Sequence, residues 1–231
     1  MNFILKLILP SLLAITTPNI MVNGEPGSRL TDPVKVTKSV SAAENAYTTL
    51  GLAQKLDFSI FERAYKGMQN IQGVTRNVLA IVDFSKPSSA KRLFVIDMDR
   101  QKILFETFVA HGQGSGNLNA TKFSNTTDSH QSSLGFYLTT NTYQGKHGYS
   151  LRLRGMEKSI NDNAENRAIV MHGADYVSEA VIRNTGRLGR SWGCPAVAPA
   201  LNKPIIDAIK GGSVLYIHAN DAEYVKRSGI I

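Results

Sequence analysis

The sequence is poor in the residues that build several familiar classes of protein. Its 231 residues include a single cysteine, Cys194, so no disulfide can form within the chain and no cysteine cluster can bind zinc. The 19 glycines and 8 prolines follow no collagen-like or low-complexity pattern. No apolar run reaches the roughly 20 residues that a membrane-spanning helix needs. A disulfide-stapled secreted scaffold is therefore excluded, and an ordinary folded domain is favoured.

Acidic residues are also few relative to basic ones. There are 18 Asp and Glu residues against 26 Lys and Arg residues, which gives a formal net charge of +8. Such a charge suits an anionic partner such as nucleic acid, an acidic membrane surface or a cell-wall polymer. The hydrophobic content of 42% is enough for a core, and the length corresponds to about one domain. Composition alone does not choose among these partners.

The first residues resemble an export signal. Lys6 precedes an apolar run over residues 7–15 that is broken only by Pro10 and Ser11. This run is too short to cross a bilayer but has the length of a signal-peptide core. We expect residues 1–24 to be a signal peptide with an undefined cleavage position. The protein is then exported, periplasmic or associated with the cell wall, without a stable membrane anchor after cleavage. A short N-terminal helix on a cytoplasmic protein is the alternative.

Two helical patterns precede the strand-rich part of the chain. Ser41 and Glu44 have the spacing of a capping box, and the small and apolar residues after them share one helical face. A second helical pattern covers residues 59–66 and is expected to stop at Gly67. We expect residues 25–76 to form a linker and a helical segment that packs on the main domain.

Short runs rich in Ile, Val and Phe dominate the rest of the chain and predict β-strands. A long Gly-, Ser- and Asn-rich loop over residues 111–133 suggests a functional loop, and one further helix is predicted at residues 201–210. The pattern predicts a β-rich α+β domain over residues 77–231. The predicted strands cover residues 78–83, 93–97, 103–110, 135–142, 150–154, 167–171 and 214–218.

The single cysteine lies in a segment that is unusual for a structural thiol. The sequence RSWGCP at residues 190–195 predicts a tight loop rather than the middle of a core strand. We interpret Cys194 as a nucleophile whose thiolate is favoured by Arg187 and Arg190. Backbone N–H groups of Gly193 and Cys194 would then form an oxyanion hole. A buried small apolar residue is the simpler interpretation of a free cysteine.

A candidate base lies upstream of this loop. The apolar residues 168–171 predict a strand that ends in His172-Gly173, which would present an imidazole at the open end of the strand. A histidine in that position is more often structural, and the Gly-Cys loop that follows is what favours catalysis here. His147-Gly148 is a second His-Gly pair, in a stretch typical of a hairpin tip or lid, and competes for the role of base.

Together these elements resemble the catalytic domain of the YkuD-type L,D-transpeptidases. That family has a His-Gly pair followed, a dozen or more residues later, by Ser/Thr-His-Gly-Cys. Here His172-Gly173 is followed by SWGC at residues 191–194, within the loop GRLGRSWGCPAV at residues 186–197 that one branch of the family shares. The resemblance extends over about residues 77–218.

Two residues depart from the family's usual pattern. Trp192 stands where the family commonly has a histidine, which argues against a second imidazole that assists the thiol. Ala196 stands where an arginine often follows the cysteine, so a cation that contacts the substrate or the loop is missing there.

The resemblance implies a fold, a reaction and a set of site residues. It implies a YkuD-like β-sandwich catalytic domain and acyl transfer on peptidoglycan tetrapeptide stems through a thioester of Cys194. His172 acts as the base, without cofactor or metal. The other residues implied are Ser191, Trp192, Gly193 and Gly173 for the oxyanion hole or for orientation, and Arg187, Arg190, Tyr176, Tyr143 and His147 for substrate contact.

Other functions are compatible with parts of this pattern. The same Cys-His site serves an L,D-carboxypeptidase or endopeptidase if water replaces the acceptor amine, and a degenerate site would leave a non-catalytic cell-wall-binding protein. A zinc metallopeptidase built on His111, His130, His147 and His172 is disfavoured, because the sequence has no H-E-x-x-H helix. Nucleic acid is disfavoured as a partner by the expected export and by the lack of a basic helix. The acyl acceptor and the oligomeric state are left open.

Overall fold

Helices and strands alternate irregularly along the chain, with most strands in its second half. The computed structural model describes residues 40–231, so the expected signal peptide and the first part of the linker lie outside the described residues. No helix within residues 40–231 is both long enough and apolar enough to cross a membrane. The helices are α1 (Ala42–Thr49), α2 (Phe58–Asn70), α3 (Glu179–Thr185), α4 (Pro199–Ile209) and α5 (Ala222–Arg227); the strands are β1 (Val78–Asp83), β2 (Leu93–Asp97), β3 (Lys102–Thr107), β4 (Gly135–Gly145), β5 (Gly148–Gly155), β6 (Val170–Gly173), β7 (Ala196–Val197) and β8 (Val214–His218).

The strands form one mixed sheet of eight that curls, in the order β3-β2-β1-β8-β4-β5-β6-β7. The pairs β1–β8 and β6–β7 are parallel, and the remaining pairs are antiparallel. The predicted β-rich α+β class is confirmed, and the expected sandwich takes the form of this curled sheet.

The core lies where the central strands are covered on both faces. Every residue of β1 and β8 is buried, in keeping with their nearly continuous apolar sequences. α2 packs on β1 and β8, and α4 packs on β1, β5 and β6. The boundary that the sequence places at residue 77 stays a prediction, since the helical segment shares this apolar core.

The helical segment begins as its sequence predicts. Ser41 Oγ accepts a hydrogen bond from the Glu44 backbone N–H at 3.1 Å, and a Glu44 carboxylate oxygen accepts one from the Ser41 N–H at 2.6 Å. The predicted stop at Gly67 is wrong, because α2 continues to Asn70. Gly67 is instead a close contact point: a Cβ atom there would lie 2.1 Å from Cζ of Phe136. The glycine allows the helix to approach the sheet rather than ending the helix.

The turn of the hairpin formed by β4 and β5 lies beside the end of β6. Gly145 pairs with Gly148, which leaves Lys146 and His147 as the two-residue turn, and Gly148 closes it with a φ of +72°. Antiparallel pairing of β5 with β6 then places the start of β5, and the turn before it, beside the end of β6.

Candidate active site

β6 presents the candidate base, His172, as its third residue. The side chain is only 2% exposed, and its Nδ1 lies 2.9 Å from the carbonyl oxygen of Gly173. A carbonyl oxygen only accepts hydrogen bonds, so Nδ1 carries the proton and Nε2 is left to accept one. Burial lowers the pKa of His172, although the Gly173 carbonyl acts in the opposite direction. The imidazole is therefore neutral near pH 7, as a base must be.

The two-residue strand β7 brings the candidate nucleophile beside this histidine. β7 pairs in parallel with β6, with His172 opposite Ala196, and Cys194 lies two residues before Ala196. The loop reaches that position through Gly193, whose φ is +119°. A Cβ atom on Gly193 would lie 2.8 Å from the carbonyl oxygen of Gln131, so both the backbone conformation and the space available require glycine.

The thiol of Cys194 is held by the backbone of the segment that leads into β6. Its Sγ accepts a hydrogen bond from the Val170 N–H at 3.5 Å and donates to the Ala168 carbonyl at 3.7 Å. Burial raises the pKa of the Cys194 thiol, and the Val170 N–H and the charge of Arg167 counteract part of that rise. Within residues 40–231, no hydrogen bond joins this Sγ to His172. Such bonds are often long in unliganded enzymes.

Arg167 is a site residue that the sequence reasoning missed. Its guanidinium donates to the carbonyl oxygens of Ser124 at 2.7 Å and Gln131 at 2.5 Å, and to the Ser133 hydroxyl at 3.0 Å. It therefore fixes the loop behind Cys194 as well as supplying a positive charge. Its only signal in the sequence is a cation directly before the apolar run 168–171.

The role expected of Arg187 and Arg190, favouring the thiolate, falls to Arg167 in the structure. Arg187 donates to the carbonyl of its neighbour Leu188 at 2.7 Å and does not line the cavity at Cys194. Arg190 does line that cavity, where its guanidinium is 2.7 Å from Oδ1 of Asn117. Arg190 is therefore placed to contact a ligand, and Arg187 is not.

Ser191 closes the nucleophile loop with its hydroxyl. Ser191 Oγ donates to the Cys194 carbonyl at 2.6 Å and accepts from the Gly193 N–H at 3.1 Å. The Gly193 N–H is thus engaged, contrary to its expected role as an oxyanion donor. The Cys194 N–H has no hydrogen-bond partner among residues 40–231 and is free to donate to a ligand.

A cavity of about 200 Å³ opens onto both the thiol and the imidazole. The side chains that line it include two cations and no carboxylate, which suits a ligand that carries negative charge. Tyr143, expected to contact substrate, is not among them, because its ring packs 4.5 Å from the guanidinium carbon of Arg152. The lining residues are Lys146, His147, His172, Tyr176, Arg190, Ser191, Trp192 and Cys194.

Comparison with known proteins identifies the family. The family model for the L,D-transpeptidase catalytic domain matches residues 52–218. The chain belongs to this family. The match takes in both Cys194 and His172, and it starts within the helical segment that precedes β1.

Solved structures of L,D-transpeptidases are among the similar folds. The protein from Mycobacterium smegmatis is 13% identical, with 62% of this chain and 59% of that one covered and a TM-score of 0.39. The protein from Stackebrandtia nassauensis is 17% identical, with 77% and 76% covered and a TM-score of 0.38. The chain thus spans less than two thirds of the first of these proteins. No curated protein sequence matches it significantly.

Trp192, where L,D-transpeptidases commonly have histidine, forms an exposed wall of the site. Its indole is 70% exposed and stacks on the ring of His130, with 4.6 Å between the centroids and 12° between the planes. Stacking fixes one face of the indole and leaves the other open to the cavity and solvent. Trp192 therefore supplies an apolar surface at this position instead of a second proton acceptor.

The buried pair Arg92 and His111, which the sequence reasoning also missed, is linked to the nucleophile loop. Arg92 Nη2 lies 2.8 Å from Nδ1 of His111, and both side chains are fully buried. Burial and the charge of Arg92 lower the pKa of His111 to about 4, so the ring is neutral and accepts at Nδ1. The His111 carbonyl in turn accepts from the Ser191 N–H at 3.0 Å.

The four histidines considered as zinc ligands do not come together at one place; only His147 and His172 are neighbours. His111 contacts Arg92, His130 contacts Trp192, and His147 stacks on His172. Among the residues that the structure describes, no three His, Cys, Asp or Glu side chains are grouped so as to hold a metal ion.

Proposed function

We propose that this chain is a cysteine-dependent acyl transferase that acts on the tetrapeptide stems of peptidoglycan, outside the cytoplasm. One observation carries the proposal: Cys194 and His172 line the same cavity, and Nδ1 of His172 is committed to the Gly173 carbonyl. This arrangement leaves one ring nitrogen to take the thiol proton, as a cysteine nucleophile paired with a base requires.

The acylation step begins with the thiol proton. Nε2 of His172 takes the proton from Cys194, and the thiolate attacks the carbonyl carbon of the third stem residue. The negative charge that forms on the carbonyl oxygen is stabilised by the Cys194 N–H; one such donor typically contributes about 2.7–4 kcal/mol. Arg167 favours the thiolate through its charge. His172 then returns the proton to the amine of the departing D-Ala, which leaves a thioester on Cys194.

The second step resolves the thioester. An amine of a second stem attacks the acyl carbon, the Cys194 sulfur leaves, and a 3→3 crosslink forms. If water attacks instead, the product is a tripeptide stem and the activity is that of an L,D-carboxypeptidase.

Charge at the site and over the whole chain suits this substrate. Lys146 and Arg190 line the cavity and make no salt bridge within residues 40–231, so each is available to a stem carboxylate. The net charge of +8 favours approach to an anionic polymer.

Incubation with a purified disaccharide-tetrapeptide, followed by mass spectrometry, tests the proposal. We expect crosslinked dimers from the wild type, none from Cys194→Ala, and a loss of about 100-fold or more in rate from His172→Ala. Arg154→Gln, on an exposed part of β5, is the matched control and should retain activity. Tripeptide alone would assign the hydrolytic activity. Unchanged substrate, with no carbapenem adduct at Cys194, would indicate a non-catalytic wall-binding protein.

A further inference from the structure

The ring of His147 lies flat against the ring of His172. The centroids are 4.4 Å apart and the planes are 23° from parallel, although the two residues are 25 positions apart in the chain. His147 comes from the turn between β4 and β5 and is itself exposed, whereas His172 is 2% exposed. The turn therefore places one imidazole between the other and the solvent.

We propose that His147 is a positioning residue for His172: its ring holds the imidazole of His172 in the orientation that acts as a base. The proposal rests on the role of His172 given above. It adds a residue that acts through His172 and not on the thiol itself.

The positioning role follows from what fixes each ring. His172 is fixed at Nδ1 by the Gly173 carbonyl, but one hydrogen bond leaves a ring free to tilt about that bond. Contact with a second flat ring removes this freedom, since stacked rings resist tilting. The ring nitrogens of His147 have no hydrogen-bond partner within residues 40–231, so nothing selects one of its tautomers. His147 is thus poorly suited to be the base and well placed to orient it.

The neighbouring ring also acts on the pKa of His172. Two stacked imidazoles resist carrying positive charge together, so positive charge on one disfavours positive charge on the other. The charge of His147 contributes to lowering the pKa of His172, after burial. The other ionisable groups that line the cavity of His172 are Cys194, Tyr176, Lys146 and Arg190; Asp175 lines the neighbouring cavity, together with His147 and Gly173.

Alkylation of Cys194 by iodoacetamide, measured from pH 4 to pH 9, tests the proposal without any peptidoglycan substrate. Three variants separate the two roles of the ring: His147→Phe keeps a flat ring without charge, His147→Ala removes the ring, and His147→Lys supplies a cation at neutral pH. Gln144→Ala, exposed on the same hairpin, is the matched control.

We expect His147→Ala and His147→Lys to slow alkylation at neutral pH by about tenfold or more. His147→Phe should keep the alkylation rate at neutral pH within about threefold. The fall of the rate at low pH (the acid limb) should move to higher pH, because the neighbouring charge that lowered the pKa of His172 is gone. Gln144→Ala should match the wild type.

Equal rates and equal acid limbs in wild type and His147→Ala would overturn the proposal, as would equal slowing by Ala and Phe. Thermal melting of each variant shows whether it is folded. If a variant does not fold, NMR titration of the two imidazoles in the wild type decides, because stacked rings give coupled titrations and independent rings do not. The proposed substrate can fail separately from this proposal. If alkylation of the wild type depends on pH and on His172 but muropeptides are not turned over, the proposed substrate is wrong and the role of His147 is unaffected.

Discussion

At the scale of single residues, the thiol of Cys194 is half-buried and has a positive charge close to it. Burial raises the pKa of Cys194, and a raised pKa means less thiolate at neutral pH. Arg167 opposes this from within the protein, where its charge is screened less than that of an exposed arginine. The same guanidinium satisfies two backbone carbonyls of the loop.

Replacement of Arg167 by Gln should therefore affect both reactivity and stability. The pKa of Cys194 should rise, because the nearby positive charge that favours the thiolate is lost, and the alkaline limb of alkylation should move to higher pH. The free energy of unfolding should fall by about 1–3 kcal/mol, since two part-buried carbonyls lose their donor.

Thiolate absorbance and urea denaturation measure the two effects of the Arg167 substitution. Arg167→Lys keeps the charge but not the planar set of donors, so it should restore more of the thiolate than of the stability. An unchanged pH midpoint in Arg167→Gln would show that its charge does not act on Cys194.

At the scale of elements, the contact between α2 and the sheet depends on a missing side chain. Gly67→Ala adds a methyl group that would lie 2.1 Å from the Phe136 ring. The higher helix propensity of alanine favours the change by about 1 kcal/mol, but the overlap must push the helix or the ring away. We expect a net loss of about 1–3 kcal/mol in the free energy of unfolding, measured by urea denaturation.

Gly229→Ala is the control for this substitution, because a Cβ atom there meets no atom within 4 Å. It should leave the unfolding free energy nearly unchanged. A Gly67→Ala protein as stable as the wild type would mean that α2 has room to shift away from the sheet.

The elements also show how far sequence patterns reach. The predicted bounds of β1, β2 and β8 match the structure, because these strands are short apolar runs buried on both faces. β7 was not predicted, since two residues carry no periodicity and their strand conformation comes from pairing with β6. α2 was predicted too short, because a glycine that allows close packing looks the same in a sequence as one that ends a helix.

At the scale of the whole molecule, the free energy of unfolding should depend on pH because of His111, whose side chain is fully buried. The pKa of His111 is lowered to about 4, below the value of about 6.5 expected in the unfolded chain. Between these values the unfolded chain binds more protons than the folded one, so stability falls as the pH falls from about 6.5 to about 4. This group alone contributes a loss of about 3 kcal/mol over that range.

His111→Gln isolates this contribution. A glutamine amide can accept from Arg92 and donate to the Gly116 carbonyl, as the histidine does, but it does not titrate. Urea denaturation should show that the free energy of unfolding falls less steeply below pH 6.5 in the variant than in the wild type. The difference between the two proteins at pH 8 measures the effect of the substitution that does not depend on titration. Parallel curves for both proteins would refute the role given to His111.

The amino-acid sequence determined the candidate reacting groups, one thiol in a Gly-Cys loop and one histidine at the end of an apolar strand. It also determined the strands that form the centre of the sheet. Each of these features depends on residues that are close together in the sequence, so the sequence alone is enough to predict it. The tertiary structure decided the surroundings of that chemistry. Arg167 behind the thiol, Arg92 beneath the loop and His147 on the face of His172 are set by packing between segments far apart in the chain, and no spacing along the sequence encodes such contacts.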